Sequence, residues 1–86
     1  MVDFETVKAE EVKFGRNNFI EVSRKKAVTE GAENEFVSIG RGFYLPDGGK
    51  RWRSSITLPS ESDKLKKIAD LIKSIWLIEK IIFFIN

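Results

Sequence analysis

Apolar and polar residues alternate along residues 35–44 and again along residues 50–59. A period of two over this length is typical of a half-buried β-strand. Between the two segments lies Asp47-Gly48-Gly49, which is a strong signal for a hairpin turn. The pattern therefore predicts a β-hairpin with Asp47-Gly48 as its loop. A loop at Gly48-Gly49 would shift the pairing by two residues and leave the faces unchanged.

The two faces of this predicted hairpin differ in chemistry. With Asp47-Gly48 as the loop, the apolar face pairs Val37 with Leu58, Ile39 with Ile56, and Phe43 with Trp52. The other face pairs Tyr44 with Arg51, Gly42 with Arg53, Gly40 with Ser55 and Ser38 with Thr57, and Phe36 lies at its end. Arg41 interrupts the apolar face, and the glycines beside it would allow a bulge that turns it outward. We expect the apolar face in the core and the other face in solvent.

A second hairpin is predicted upstream, from strands at residues 12–14 and 19–26. A three-residue loop around Arg16-Asn17-Asn18 would join them, because asparagine tolerates the left-handed backbone of such loops. This loop pairs Phe14 with Ile20 and Val12 with Val22 on the core face, and places on the outer face Lys13, Phe19, Glu21, Ser23 and Lys25. Residues 1–11 are predicted as a frayed arm or short edge segment, and residues 27–34 as the longest loop.

The last third of the chain changes to a helical period. Ser60 is predicted to cap a helix, with Asp63 near its positive dipole end. One apolar stripe would cover the sheet, and its members are Leu65, Ile68, Ala69, Ile72, Ile75 and Trp76. A second stripe beside it consists of Leu71, Ile75, Ile78 and Ile82. Because one stripe is enough to dock a helix on its own sheet, the second predicts a homodimer or higher oligomer.

These elements predict one α+β domain over residues 1–86, with a four-stranded antiparallel sheet (residues 12–58) followed by one long C-terminal helix (residues 60–86). The helix ends in an apolar tail in which nine of the eleven residues 75–85 are apolar. A bilayer span takes roughly 20 such residues, and Asp70 and Lys73 interrupt any longer window. Burial in an oligomer is favoured over insertion into a membrane surface. Residues 81–85 suit helix and strand alike.

Composition narrows the class of protein. The 86 residues make one domain that is marginal as a monomer, and the net charge is only +2. Residues 36–59 alone carry +3, so the positive excess lies on the hairpin. Cysteine, histidine and glutamine are absent while isoleucine occurs ten times, which suggests an intracellular protein of a hot organism. Acidic residues around Phe4 do not resemble a signal peptide, so we expect a cytoplasmic protein, with nucleoid association if it binds DNA.

The residue types on the solvated face predict binding rather than catalysis. Histidine and cysteine are absent, and no carboxylate cluster has metal-ligand spacing, so we expect neither an enzyme nor a cofactor. Rings on which bases stack, beside arginine and lysine that meet phosphates, are typical of surfaces for unpaired nucleic acid. The predicted binding residues are Lys13, Phe19, Lys25, Phe36, Tyr44, Arg51 and Arg53. We expect single-stranded DNA as the partner, with RNA left open because no residue recognisably reads a 2′-hydroxyl.

Residues 36–75 resemble the positive-cofactor-four family of single-stranded-DNA-binding transcriptional coactivators and the small archaeal single-stranded-DNA-binding proteins of similar build. The resemblance lies in an aromatic strand, the Pro46-Asp47-Gly48 turn, a basic strand, and Ser55-Ile56-Thr57-Leu58 before a helix at Leu65. It implies a curved sheet that holds unpaired DNA through Tyr44, Arg51 and Arg53, dimerisation through the helices, and a role in transcription, replication or repair. Lys64 and Leu65 stand where the family often has a tryptophan.

Other interpretations of the same residues remain open. Tyr44 and Phe36 would also pack under a loop or against a partner, and Arg51 and Arg53 would also protect an edge strand from aggregation. Trp52 is predicted in the core because Ile56 and Leu58 share its face. The alternative function is a protein-interaction or assembly module that uses the apolar C-terminal helix.

Overall fold

Four long strands and one helix make up the chain: β1 (Asp3–Phe14), β2 (Asn18–Thr29), β3 (Ala32–Tyr44), β4 (Lys50–Leu58) and α1 (Ser62–Ile85). The computed structural model describes the backbone of residues 2–85 and the side chains of residues 2–77. The strands pair antiparallel in chain order and form one open sheet. The predicted α+β class, with four strands before one C-terminal helix, is confirmed.

The first two strands are longer than predicted. Residues 3–11 belong to β1, an edge strand of the sheet, so of the two alternatives predicted for this segment the frayed arm is wrong and the edge segment is right, though longer than expected. The predicted loop at residues 27–34 is also wrong, because β2 turns directly into β3 at Glu30 and Gly31, where Gly31 adopts a φ of 79°. Charge pairing lets these polar segments form a sheet: the Lys26 ammonium lies 3.8 Å from carboxylates of both Glu5 and Glu33 on the neighbouring strands.

The loop between β1 and β2 comprises residues 15–17, one position earlier than predicted. Gly15, with a φ of 61°, takes the left-handed conformation that was assigned to asparagine. Val12 therefore pairs with Ile20 and Lys13 with Phe19, instead of the predicted partners. The register differs from the prediction by two residues, so every side chain keeps its predicted face.

The loop between β3 and β4 spans residues 45–49, so the predicted two-residue loop is wrong. The Gly48 N–H donates to the Leu45 carbonyl at 2.9 Å, and the Leu45 N–H donates to the Gly49 carbonyl at 2.7 Å. Pro46 presets the backbone for the first of these turns, and Gly48 supplies the left-handed residue with a φ of 90°. Longer hairpin loops built on such a turn are common.

A β-bulge at Arg53 divides the second hairpin into two registers. From Val37 to Arg41 of β3, the predicted partners on β4 are confirmed. Ile39 pairs with Ile56, and Arg41 pairs with Ser54. Beyond the bulge Gly42 pairs with Trp52 and Phe43 with Arg51, so the predicted partners there are wrong. Because side chains alternate between faces, one extra residue moves Trp52 to the face opposite the predicted one.

The sheet has two faces with different packing. The front face carries Phe19, Ser23, Ser38, Tyr44 and Trp52, and the rear face carries Val12, Val22, Ile39, Phe43 and Ile56. Phe19, on the front face, is the one fully buried apolar side chain among the described residues. Val12 and Ile56 on the rear face are 64% and 59% exposed. Within one chain, several of the apolar side chains that were predicted to form the core on the rear face are therefore exposed to solvent.

The prediction that helix α1 covers the apolar face of the sheet is wrong. It begins at Ser62, two residues after the predicted cap, and the Leu65 N–H donates to the Glu61 carbonyl at 3.0 Å. Leu65 and Ile68 are half-buried, whereas Ile72 and Ile75 are each 62% exposed. Leu65, near the start of the helix, lies beside Phe36 and Val37 of β3, whereas the rest of the described helix does not pack on the sheet.

Candidate functional site

Three aromatic rings form a cluster on the front face where β2, β3 and β4 meet. The Phe19 ring centroid lies 5.1 Å from that of Tyr44 and 5.0 Å from that of Trp52, whose indole meets it edge-on. Phe19 has no exposed surface, so its predicted role as a ring for bases is wrong. It supports the other two rings instead. Tyr44 is half-buried and Trp52 is 50% exposed.

Two glycines of β3 lie beneath these rings. A Cβ atom at Gly40 would be 2.6 Å from the Trp52 indole, and one at Gly42 would be 2.8 Å from the Phe19 ring. Either distance is too short for a side chain, so Gly40 is required for the indole to lie against the sheet. At Gly42 a Cβ would also collide with the Arg51 carbonyl oxygen, so the backbone of β4 requires glycine there as well. These close approaches explain why glycines stand on both sides of Arg41. From the sequence, the two glycines were expected to allow a bulge, and ring packing was not predicted. Glycine inside a strand often marks a position where another group approaches the backbone closely. The two glycines were therefore the signal in the sequence from which the ring packing could have been predicted.

Lys50 connects the cluster to two carboxylates of the neighbouring hairpin. Its ammonium lies 3.1 Å from the Glu11 carboxylate, 3.4 Å from that of Glu21, and 4.8 Å from the centroid of Phe19. The Tyr44 hydroxyl donates to the other oxygen of Glu11. Lys50 is not among the predicted binding residues, because the predicted loop placed Arg51 opposite Tyr44, whereas the observed partner of Tyr44 is Lys50.

These contacts shift three pKa values. The hydrogen bonds from the Tyr44 hydroxyl and the Lys50 ammonium hold the pKa of Glu11 below its ordinary value of 4.5. The same bond raises the pKa of Tyr44 above 10.0. The hydrogen bond to Glu11 raises the pKa of Lys50 above 10.5. Glu11 and Lys50 are therefore both charged across the neutral range.

The network predicts how stability depends on pH. A carboxylate with a lowered pKa stabilises the fold above its ordinary value, and this contribution is lost as pH falls through the lowered pKa. We therefore expect the melting temperature, followed by circular dichroism, to fall below pH 4.5 and less steeply in Glu11→Gln. Glu30→Gln, which changes a carboxylate with no ion pair among the described residues, is the control. If the melting temperature of Glu11→Gln falls with decreasing pH as steeply as that of the wild type, the carboxylate of Glu11 does not contribute to stability in this way.

A hollow of about 400 Å³ lies beside the Trp52 indole on the front face. Its floor contains Ser23 and Ser38, which are 4% and 6% exposed. The other residues that line it are Glu21, Lys25, Gly40, Arg53, Ser54 and Ser55. This volume lies in the range of small-ligand sites. The hollow therefore offers an indole surface and hydroxyl groups that donate or accept hydrogen bonds, and it is bordered by two basic residues, Lys25 and Arg53, and by Glu21.

The predicted arginines do not lie beside Tyr44, although Arg53, at the bulge, also borders the front hollow. Arg51 pairs with Phe43 and so shares the rear face, and the Arg53 guanidinium lies 5.6 Å from the centroid of the Phe43 ring. The five-residue loop and the bulge cause this change, because each alters the register by one residue. The predicted placement of Arg51 and Arg53 beside Tyr44 is wrong.

The remaining predicted binding residues share the front face. The Lys13 ammonium lies 5.1 Å from the Tyr44 ring centroid, and Lys25 pairs with Phe36 towards the other end of the sheet. There the Phe36 ring meets Phe4 edge-on, with centroids 6.2 Å apart. Neither Lys13 nor Lys25 forms an ion pair among the described residues.

The predicted dimer residues lie on α1. Leu71 is 44% exposed and Ile75 is 62% exposed, while the side chains of Ile78 and Ile82 lie outside the described part of the chain. Within the described residues, no helix is long and apolar enough to cross a membrane. The same residues hold no group of three or more acidic side chains placed to bind a metal ion.

The chain matches no protein-family model, and comparisons with curated proteins and with solved structures also gave no match. The resemblance to the positive-cofactor-four family therefore stays a prediction.

Proposed function

We propose that this chain binds single-stranded nucleic acid, with single-stranded DNA favoured and little sequence preference. The observation that supports the proposal best is the half-exposed Trp52 indole beside the serine-lined hollow. A base that stacks on an indole can present its polar edge to hydroxyl groups, which donate and accept alike. Such a site favours unpaired bases and discriminates little between them.

The charges of the front face support the same function. Lys50 lies between Glu11 and Glu21, so these two carboxylates are compensated within the chain. Lys13 and Lys25 remain available for phosphates at either side of the ring cluster. Each phosphate contact would release counterions, so binding should weaken as salt rises.

A titration of wild-type protein with matched single-stranded and duplex DNA tests this proposal. We expect the single strand to bind more tightly, since duplex bases are stacked on one another and not available to Trp52. RNA of the same sequence should also bind, because stacking on an indole and contacts with phosphates are available to both kinds of strand. Equal or tighter binding of duplex DNA would contradict the proposal.

A second candidate function is that of an assembly module. The exposed side chains of Leu71, Ile72, Ile75, Trp76 and Leu77 favour it, because so many large apolar residues on one helix mark an interaction surface. Apolar association strengthens or persists as salt rises, whereas phosphate binding weakens. The salt dependence of complex formation therefore separates the two functions.

Self-association is compatible with both functions, and we propose that two copies of the chain cover these apolar surfaces. The radius of gyration is 16.6 Å, whereas a compact domain of this length has about 12 Å. Phe19 is the one fully buried apolar residue among those described, which is too small a core for a stable monomer. A second copy that covers the exposed apolar side chains of α1 would supply part of the missing core.

A further inference from the structure

The rear face carries an arginine surface at the end of the sheet near the two hairpin loops, formed by Arg41, Arg51 and Arg53 over the rings of Phe14 and Phe43. We infer that this arginine surface binds the phosphate backbone of the same nucleic-acid strand whose bases stack on Trp52, after that strand crosses the edge of β4. The inference rests on the proposed function and extends the binding site to the other side of the sheet.

The rings hold two of the guanidinium groups in place. The Arg41 guanidinium lies 5.4 Å from the centroid of Phe14, and the Arg53 guanidinium lies 5.6 Å from that of Phe43. A guanidinium near a ring retains N–H groups for an anion, and its planar fork suits phosphate oxygens. The side chains are thus partly ordered before a ligand arrives, which lowers the entropy lost on binding.

Several other basic residues of the sheet are already paired with carboxylates. Arg24 forms an ion pair with Glu35 at 2.8 Å, and Lys26 and Lys50 each lie near two carboxylates. Arg41, Arg51 and Arg53 form no ion pair with any described residue, and all three are exposed. An uncompensated cluster of three positive charges attracts an anionic polymer.

Strand β4 places this surface next to Trp52. It is an edge strand of the sheet, and its consecutive residues Arg51, Trp52 and Arg53 lie on the rear, front and rear sides. The bulge at Arg53 produces this arrangement, since without it Trp52 would lie on the rear. The molecule is only 17 Å thick along its shortest axis. One strand can therefore contact Trp52 and then fold over the edge towards the arginines.

The test compares two oligonucleotide lengths and two triple variants. The rear variant is Arg41→Ala with Arg51→Ala and Arg53→Ala, and the control is Lys66→Ala with Lys67→Ala and Lys73→Ala, which changes the net charge equally on exposed helix positions. With a strand of about 16 nucleotides, three lost phosphate contacts should lower the salt slope of log K by about 2 in the rear variant alone. A strand of about 4 nucleotides, which reaches only the front face, should show a much smaller fall in salt slope in the rear variant, because of the three arginines only Arg53 borders the front hollow.

Several outcomes would overturn the inference. If the rear variant binds as tightly as the wild type and with the same salt slope, the three arginines do not contact phosphates and the inference is wrong, while the proposed function stands. An equal loss in the helix control shows a general effect of net charge and also overturns the inference. If wild-type protein binds neither oligonucleotide, the proposed function and the inference fail together. Should the triple variant not fold, the pair Arg51→Ala with Arg53→Ala is measured instead, with an expected fall in slope of about 1.4.

Discussion

Ile75→Asp is expected to abolish self-association of the chain. In one isolated chain Ile75 is 62% exposed, but the proposed assembly buries it against a second copy. A carboxylate placed in an apolar interface must lose its water without gaining a partner, which is strongly unfavourable. Because the single chain buries so little apolar surface, loss of the assembly should also unfold much of it. Light scattering at micromolar concentration reports the mass, and circular dichroism reports the fold.

Two control variants make the result for Ile75 specific. Ile75→Leu keeps an apolar side chain of similar volume and should preserve the assembly. Lys67→Asp introduces the same carboxylate at an exposed polar position of α1 and should also leave the mass unchanged. A wild-type protein that is a stable monomer at micromolar concentration would contradict the prediction and the proposed second copy.

Trp52→Ala should weaken the binding of single strands by about 1–3 kcal/mol, or about 5- to 150-fold. The indole is the most exposed ring of the front cluster, so it offers a base the largest stacking surface. It meets no phosphate in this proposal, and the salt dependence should therefore stay nearly unchanged. Fluorescence anisotropy of a labelled oligonucleotide at several salt concentrations measures both quantities.

The ring contact of Trp52 with Phe19 requires a control for stability. Loss of the indole uncovers Phe19, so the melting temperature of Trp52→Ala should fall as well. Trp52→Phe restores a ring and should recover much of the affinity, whereas Trp52→Leu restores apolar volume without a stacking surface and should not. Equal affinities for the phenylalanine and leucine variants would show that stacking is not the source of binding.

Much of the fold follows from local patterns in the sequence. The alternation of residues 35–44 and 50–59 predicted both strands and, up to Arg41, the correct partners. In the first hairpin the predicted loop was displaced, yet each face kept its residues, because the error was an even number of positions. The helical period of the last third predicted α1, with its start displaced by two residues. Such patterns are local, so they survive small errors in loop position.

The composition of the candidate site was decided by tertiary structure. The five-residue loop and the bulge at Arg53 each altered the register by one position, which brought Lys50 to Tyr44 and Trp52 to Phe19, and placed Arg51 on the rear face. Whether a strand accommodates an extra residue depends on contacts across the sheet, such as that between Gly40 and the Trp52 indole. Because side chains alternate between the two faces of a strand, each change of register by one residue moves the following side chains to the opposite face. The residue types of the site were therefore predictable from the sequence, whereas the set of residues that share one face was not.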